Sequence, residues 1–292
     1  MPNPNFPTSG DIVTQARKEA GIGTNPKASA LGETELLLRL NDLNSEGVAY
    51  PTKQGFLGFW FNDTEQIISS IANTTLSTAI SSGAATMTLA SGTGWDSPSS
   101  DLGAGYVKTG KEIYDFFAFE ARSSGVLSTM NGIQMAHAAA EEIHKLYKLN
   151  TDFGWPRNLF RQSRTLTYRQ RTPGFRQIPL GGTYTIKYIE STSYNGLFVV
   201  FPEDVGAIDW TMLYQKAASN ITTTTQSLNL PGRGHGRRYY IEGLKAYIYH
   251  NEGETEDEQK SEAKAAFHLD SLLEEFGIED MSGDQSIQVP DA

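Results

Sequence analysis

Apolar positions change period several times along the chain, and each change marks an element. Near the N-terminus, "SGDIVTQARKEAGIG" sets Ile12, Val13, Ala16 and Ala20 at helical spacing behind a cap at Ser9 or Asp11. Gly21 and Gly23 stop it, so a short helix is predicted. In "ASALGETELLLRLNDLNSEG", Leu36, Leu40 and Leu43 fall on one line and Leu31, Glu35, Leu38 and Asp42 on another. A helix from about Gly32 to Glu46 follows, with Gly47 just past its end. "GFLGFWFNDTEQIISSIANTT" is aromatic-rich and is predicted to finish in a third helix, from Thr64 to about Ala72.

From Thr74 the period falls to two. Leu76, Thr78 and Ile80 alternate with small or polar partners, "SSGA" supplies a turn, and Met87 and Leu89 resume the alternation, which predicts a β-hairpin. "GYVKTGKEIYDFFAFE" continues it, with Thr109-Gly110 turning the chain into an apolar strand from Ile113 to Phe119. A linker would not need Ile, Leu and Met at period two, so Thr74 to Trp95 reads as part of a folded β-module. "NGIQMAHAAAEEIHKLYKL" closes that module and turns helical at its end.

After Arg164 the texture is all-β: "TLTYRQRT", "GGTYTIKYIESTSYNGLFVVFPEDV" and "DWTMLYQKAAS", with Asn195-Gly196 as the hairpin turn. Helical spacing returns from Tyr239 through Leu244, Tyr247 and Ile248. After an exposed charged stretch it resumes in Ala263, Ala266, Phe267, Leu269, Leu272, Leu273 and Phe276, with Gly277 ending it and an extended tail beyond. The pattern predicts an α+β fold: a helical bundle with an inserted small β-module, a β-hairpin-rich layer and a long C-terminal helical segment. The expected boundaries are 1–72 for the N-terminal helices and 73–144 for the module. The linker and β-rich layer take 145–238, and the C-terminal helices and tail take 239–292.

Composition adds three constraints. With no cysteine among 292 residues, disulfides, thiolate chemistry and cysteine-based zinc sites are excluded. The N-terminus lacks the basic and apolar regions of a secretory signal, and no run approaches the roughly 18 apolar residues of a membrane span, so a soluble, unsecreted protein is expected. The net charge of -10 is unevenly placed: residues 251–292 hold thirteen Asp/Glu against two Lys, while Arg157 to Arg176 holds six Arg and no acid. Separate solvated faces account for either bias alone, but opposed biases in one chain also suit a self-assembling ring.

Candidate chemistry is sparse. Gly105 to Lys111 spells G-x-x-x-x-G-K, yet Glu112 stands where Ser or Thr would hold magnesium, and a strand follows in place of a helix. "HAAAEEIH" would align His137, Glu141 and His144 on a helix face, without a general base in a zincin frame. "PGRGHGRR" reads as a flexible basic loop carrying Arg233, Arg237 and Arg238. No nucleophile, cofactor or metal site is assigned, and no catalysis is expected.

The closing portion, "GLFVVFPEDV" through "DSLLEEF", resembles the head-to-tail adaptor proteins of tailed bacteriophages: a strand ending in Pro, a strand with Tyr, a Leu-Pro before a loop, then two helices separated by an acidic turn. The early helix "ETELLLRLNDLNSE" and "DFGWPRNLF" around Trp155 fit the same pattern. "TTLSTAISSGAATMTLASGTGW" with "GYVKTGKEIYDFFAFE" and "NGIQMAHAAAEEI" is similar to a β-module recurrent in phage virion proteins, with Ile133, Gln134 and Met135 departing from it.

The resemblance implies a virion neck protein: a dodecameric ring contacting the portal, the next tail or nozzle ring and possible tail fibres, with DNA passing through. It implies portal docking by Leu244, Tyr247, Ile248, Phe267, Leu273, Phe276 and Ile287. Arg157, Arg161, Arg164, Arg169, Arg171, Arg233, Arg237 and Arg238 would face neighbours or the DNA channel. The exposed aromatics Phe56, Phe59, Trp60 and Phe61 are expected in an intersubunit interface. A tail-fibre or receptor-binding accessory protein and a tail-terminator ring protein are the alternatives.

Overall fold

The computed structural model describes residues 7–21, 31–54, 63–68, 73–109, 113–161, 164–169, 182–202, 209–231 and 234–281. The chain divides into a unit made of Met1–Asp63 with Gln215–Ala292 and a second unit, Thr64–Tyr214. The expected helical bundle with a small β insert is overturned. Thirteen strands in two curled sheets and only four helices form among the described residues.

The first unit is helical. α1 (Ser9–Glu19) is capped by the Thr8 hydroxyl, which accepts the Asp11 N–H at 3.2 Å. α2 runs Glu33–Lys53, through Gly47 and Pro51. Gly47 is therefore no helix stop. A Cβ there would lie 2.8 Å from Leu230 Cδ1 and 3.1 Å from Tyr239, so the glycine is a point of close approach inside the helix. α3 (His235–Glu252) ends at Gly253 with φ of 78°, and α4 (Thr255–Met281) continues past Gly277. Ile12, Val13, Leu36, Leu40, Leu43, Tyr240, Leu244, Ile248, Leu269 and Leu272 share one core. Tyr50 donates its hydroxyl to Asp270, tying α2 to α4, and that carboxylate, then burial, push the phenol up to about 12.

The strands run in chain order as β1 (Asp63–Ile68), β2 (Asn73–Thr75), β3 (Thr86–Thr88), β4 (Gly103–Thr109), β5 (Ile113–Ser123), β6 (Val126–Asn131) and β7 (Glu142–Lys145). They continue as β8 (Tyr147–Lys148), β9 (Phe153–Arg161), β10 (Arg164–Tyr168), β11 (Thr183–Glu190), β12 (Asn195–Val200) and β13 (Trp210–Lys216). Two expectations fail here. "DTEQII" is strand β1 rather than helix, and "EIHK" is strand β7 between β2 and β4 rather than a helical end. In the β11–β12 hairpin Glu190 pairs with Asn195, so the turn is Ser191–Tyr194 and Asn195-Gly196 already belongs to the ladder.

The six-stranded sheet has the order β2-β7-β4-β5-β6-β3, leaving β2 and β3 as edges. The two edges then meet. Leu76 bridges Leu89, the Ser77 N–H donates to Thr88 O at 2.8 Å, and the Ala90 N–H donates to Thr75 O at 2.9 Å. The uncharged Thr74–Trp95 tract is thus the seam that closes a small barrel around Leu76, Met87, Leu89, Trp95, Phe117 and Phe119. Gly105, which heads the phosphate-like pattern, is a buried residue of β4. A Cβ there would stand 2.8 Å from Phe117 and 2.9 Å from Trp95, so the glycine makes room for rings. Gly110 and Lys111 lie outside the described residues.

In the seven-stranded sheet, β1-β13-β9-β10-β11-β12-β8, the β9–β10, β11–β12 and β12–β8 pairs are antiparallel and the β10–β11 pair is parallel, and the sheet curls likewise. Its edges β1 and β8 are joined by one side chain. Gln66 donates to the Lys148 carbonyl at 2.9 Å and accepts the Asn150 N–H at 3.0 Å, so its amide stands in for a peptide group. Inside lie Ile68, Leu159, Leu166, Tyr184, Trp210, Met212 and Tyr214. Replacing Gln66 with alanine orphans a donor and an acceptor, and a loss of about 1–2 kcal/mol in urea unfolding is expected. An unchanged midpoint would remove the closing role from this amide.

Candidate functional site

From Tyr239 to Ile248, α3 is buried at every position except Tyr247. Leu244 and Ile248, expected to dock a portal, have no exposed surface and serve the unit's own core. Tyr247 and Leu273 are half-buried against that core. Phe267 differs: on the outer side of α4 it is 60% exposed, edge-on to His235 at 6.2 Å. The Phe276 side chain and Ile287 lie outside the described residues, as do Phe56, Phe59, Trp60 and Phe61.

The expected basic loop is partly helix. Arg237 and Arg238 occupy the first turn of α3 and turn back onto α1: Arg237 donates to Gln15 at 2.6 Å, and Arg238 bonds both Glu19 carboxylate oxygens at 3.0 and 3.1 Å. Burial pushes the Glu19 carboxyl up, but Gln15, Arg238 and Lys245 outweigh it and hold the group below its ordinary value. These two arginines bind helices of their own chain together. Beside them His235 and His268 meet at 3.0 Å through their Nδ1 atoms, at a cleft of about 450 Å³ lined by Gln15, Arg237, Arg238 and Ile241 as well. Burial and then the neighbouring His235 lower the His268 pKa.

The other arginines stand on the large barrel. β9 and β10 form a hairpin in which Arg161 pairs with Arg164, Phe160 with Thr165 and Leu159 with Leu166. Side chains alternate along a strand, so the two arginines share the side of the buried leucines, one repeat further out. Arg164 and Arg169 are exposed, and Arg157 and Arg161 are half-buried. Trp155 on β9 is 43% exposed and edge-on to Tyr168 of β10 at 6.3 Å. Pro156 lies within β9, so the Trp155 region is strand. Arg171 and Arg233 lie outside the described residues.

One cluster has the look of catalysis. His137 has no exposed side-chain surface, and its Nε2 lies 3.1 Å from Asp115 Oδ2 and its Nδ1 2.8 Å from Glu141 Oε2. The Thr109 hydroxyl lies 2.9 Å from both Nδ1 and Glu141. Asp115 also accepts the Gln134 and Met135 N–H groups, at 2.8 and 3.0 Å. A carboxylate oxygen thus stands at each ring nitrogen. The threonine hydroxyl donates to Glu141. Asp115 and His137 are enclosed in the small barrel, so the arrangement is a lock.

The helix-spacing argument did bring His137 to Glu141, but through a loop in which Ala140 has φ of 69°. His144 sits in β7 stacked on Tyr106, with ring centroids 4.8 Å apart. Sequence reasoning missed Asp115, Gln66 and the exposed Tyr188. The "IYDFF" pattern held a signal for the first: an acid at an inward strand position needs a buried partner.

Compared with known families and curated proteins, the chain matches no family model and no curated sequence. The class it defines is therefore one of architecture: a helical unit built from both ends of the chain, interrupted by a unit of two curled sheets. Among the described residues, no helix is long and apolar enough to cross a membrane.

Proposed function

We propose that this chain is a structural virion protein, a subunit of the adaptor ring that joins a phage portal to the tail and surrounds the DNA path. The observation that carries the reading is the spread of large apolar side chains in solvent: Leu38 and Phe267 on the helical unit, and Ile67, Trp155 and Tyr188 on the β unit. Side chains of this size exposed on both units fit a protein that is covered by neighbours in use. Both sheets bring their edges together, so association runs through side-chain faces rather than added strands.

Charge supports the same reading. Twenty-one Asp/Glu against twelve Lys/Arg leave the helical unit at -9, whereas thirteen against twelve leave the β unit at -1, with Arg157, Arg161 and Arg164 in the β9–β10 hairpin. The docking surface toward the portal is assigned to the outer helical face that carries Leu38, since Leu244 and Ile248 are enclosed.

The test is the native mass of the purified protein, alone and after mixing with a portal ring from the same virus. A ring, formed alone or on the portal, is expected. A stable trimer indifferent to the portal would point to a fibre or receptor-binding protein, and a monomer that ignores the portal would reject the adaptor reading.

A further inference from the structure

The chain has five histidines, and three of them sit beside carboxylates. His137 has Asp115 and Glu141 at its two ring nitrogens, His144 has Glu142 at 3.6 Å, and His250 has Glu258 at 2.8 Å. Acid that charges any of these rings meets a negative neighbour. His235, the first residue of α3, and His268 on α4 differ: among the described residues no carboxylate pairs with either ring, and they face each other Nδ1 to Nδ1 at 3.0 Å. A hydrogen bond between two such atoms needs one proton, donated by one ring to the lone pair of the other. With both rings charged, two N–H groups point at each other and the bond is gone.

The surroundings add to that repulsion. Arg237 and Arg238 of α3 line the same cleft, and Lys264 of α4 acts on His268 as a further positive charge. The carboxylates nearby are already engaged. Glu19 of α1 accepts both bonds from Arg238, Glu242 of α3 accepts from Lys245 at 3.0 and 3.1 Å, and Asp270 of α4 accepts from Tyr50. Gln15 of α1, Ile241 of α3 and the exposed Phe267 ring are the uncharged neighbours. Burial and then His235 hold the His268 pKa below its ordinary 6.5, outweighing the attraction of Glu242.

We propose that His235 and His268 form an acid-sensitive latch between α3 and α4, closed while one ring is neutral and opened when both are protonated. Arg237 and Arg238 hold the first turn of α3 to α1 through Gln15 and Glu19, so opening releases the α4 side. His268 then swings away together with Phe267, whereas Ala265, Leu269 and Leu272 keep α4 seated on the core. The change is local: it widens the cleft and re-aims an exposed aromatic ring. It belongs to a single copy and operates whether or not copies assemble. A histidine whose pKa is depressed on folding contributes stability that is complete above the ordinary value of 6.5 and lost as pH falls through the folded one. Glu19, held below 4.5, keeps its charge in that window.

Side-chain proton–nitrogen NMR of the whole chain, followed from about pH 8 to about pH 5, reads both rings directly. One of the two should titrate below 6.5, and the amide signals of His235–Arg238 and Lys264–His268 should shift with the same midpoint. Both rings titrating independently at or above 6.5 would overturn the latch. Urea unfolding supplies the second reading. In His268→Gln an amide faces His235 and can accept or donate whatever the charge on that ring. The wild-type midpoint should therefore fall relative to this variant between about pH 7.5 and about pH 5.5, and His250→Gln should leave that fall in place. A gap between wild type and His268→Gln that stays constant with pH overturns the proposal, as does a fall that disappears with His250→Gln.

Discussion

Replacing His137 with alanine is expected to destabilise the small barrel by about 3–5 kcal/mol, the range for breaking a buried charge network from one side. The substitution leaves Asp115, 1% exposed, without its imidazole neighbour and removes the ring that joins it to Glu141. The His137 backbone also exchanges both hydrogen bonds with Ile80, so the ring anchors the loop that carries the seam strand's partner. Hydrogen exchange across β4 and β5, read beside the urea midpoint, checks this. Unchanged protection in those strands would reduce the cluster to decoration. Asp115→Asn serves as the shape-preserving control and should lose part of the same stability.

The pH dependence follows from Glu141. Burial pushes its carboxyl up, but hydrogen bonds from His137, the Ala138 N–H and Thr109 outweigh that and hold it below its ordinary value of 4.5. A carboxyl depressed on folding contributes stability that is fully present above the ordinary value and lost as pH falls through the folded one. The barrel should therefore loosen below about pH 4.5, and Glu141→Gln should flatten that slope.

Asn44→Ala in the helical unit has the second large expected effect, about 2–4 kcal/mol, because it orphans several buried groups together. Asn44 is fully buried in α2, and its amide donates to Ser219 O at 3.1 Å and to Asn229 Oδ1 at 2.7 Å. Its oxygen accepts the Asn229 N–H at 3.0 Å and the Tyr240 hydroxyl at 2.7 Å. Tyr240 in turn accepts the Leu230 N–H at 3.1 Å, and burial keeps its phenol well above its ordinary pKa, hence a hydroxyl. One side chain thus fastens α2, α3 and the stretch entering α3. Tyr240→Phe should cost about 1–2 kcal/mol, and the double variant should cost less than the sum because the two share a network. Strict additivity in urea unfolding would show that the groups act independently.

Much of the site was readable only in part. The exposure of Phe267 is invisible in a pattern where it sits beside Leu269 and Leu272 as one more apolar residue. Leu244 and Ile248 look equally available on paper, yet α3 lies enclosed and they are spent on the core. The six-arginine stretch was evident from composition, but the pairing of Arg161 with Arg164 depends on hairpin register, and the capture of Arg237 and Arg238 by α1 depends on two helices meeting.

What the sequence determined by itself is local and periodic. Alternation sufficed for the strands from Ile113 and from Thr183 and for the β-module at Thr74, and helical spacing for α1, because there the side-chain pattern and the backbone preference agree. Tertiary structure decided the rest. "DTEQII" and "EEIHK" carry good helix formers, but β13 claims the first and β2 and β4 the second, and a ladder on the backbone outweighs tenths of a kilocalorie of propensity. Gly47 reads as a stop, yet packing against Leu230 and Tyr239 uses its missing side chain and carries the helix on to Lys53. Closure of the seven-stranded sheet rests on contacts between segments far apart in the chain, Gln66 with Lys148 and Asn150. No local pattern encodes contacts at that separation.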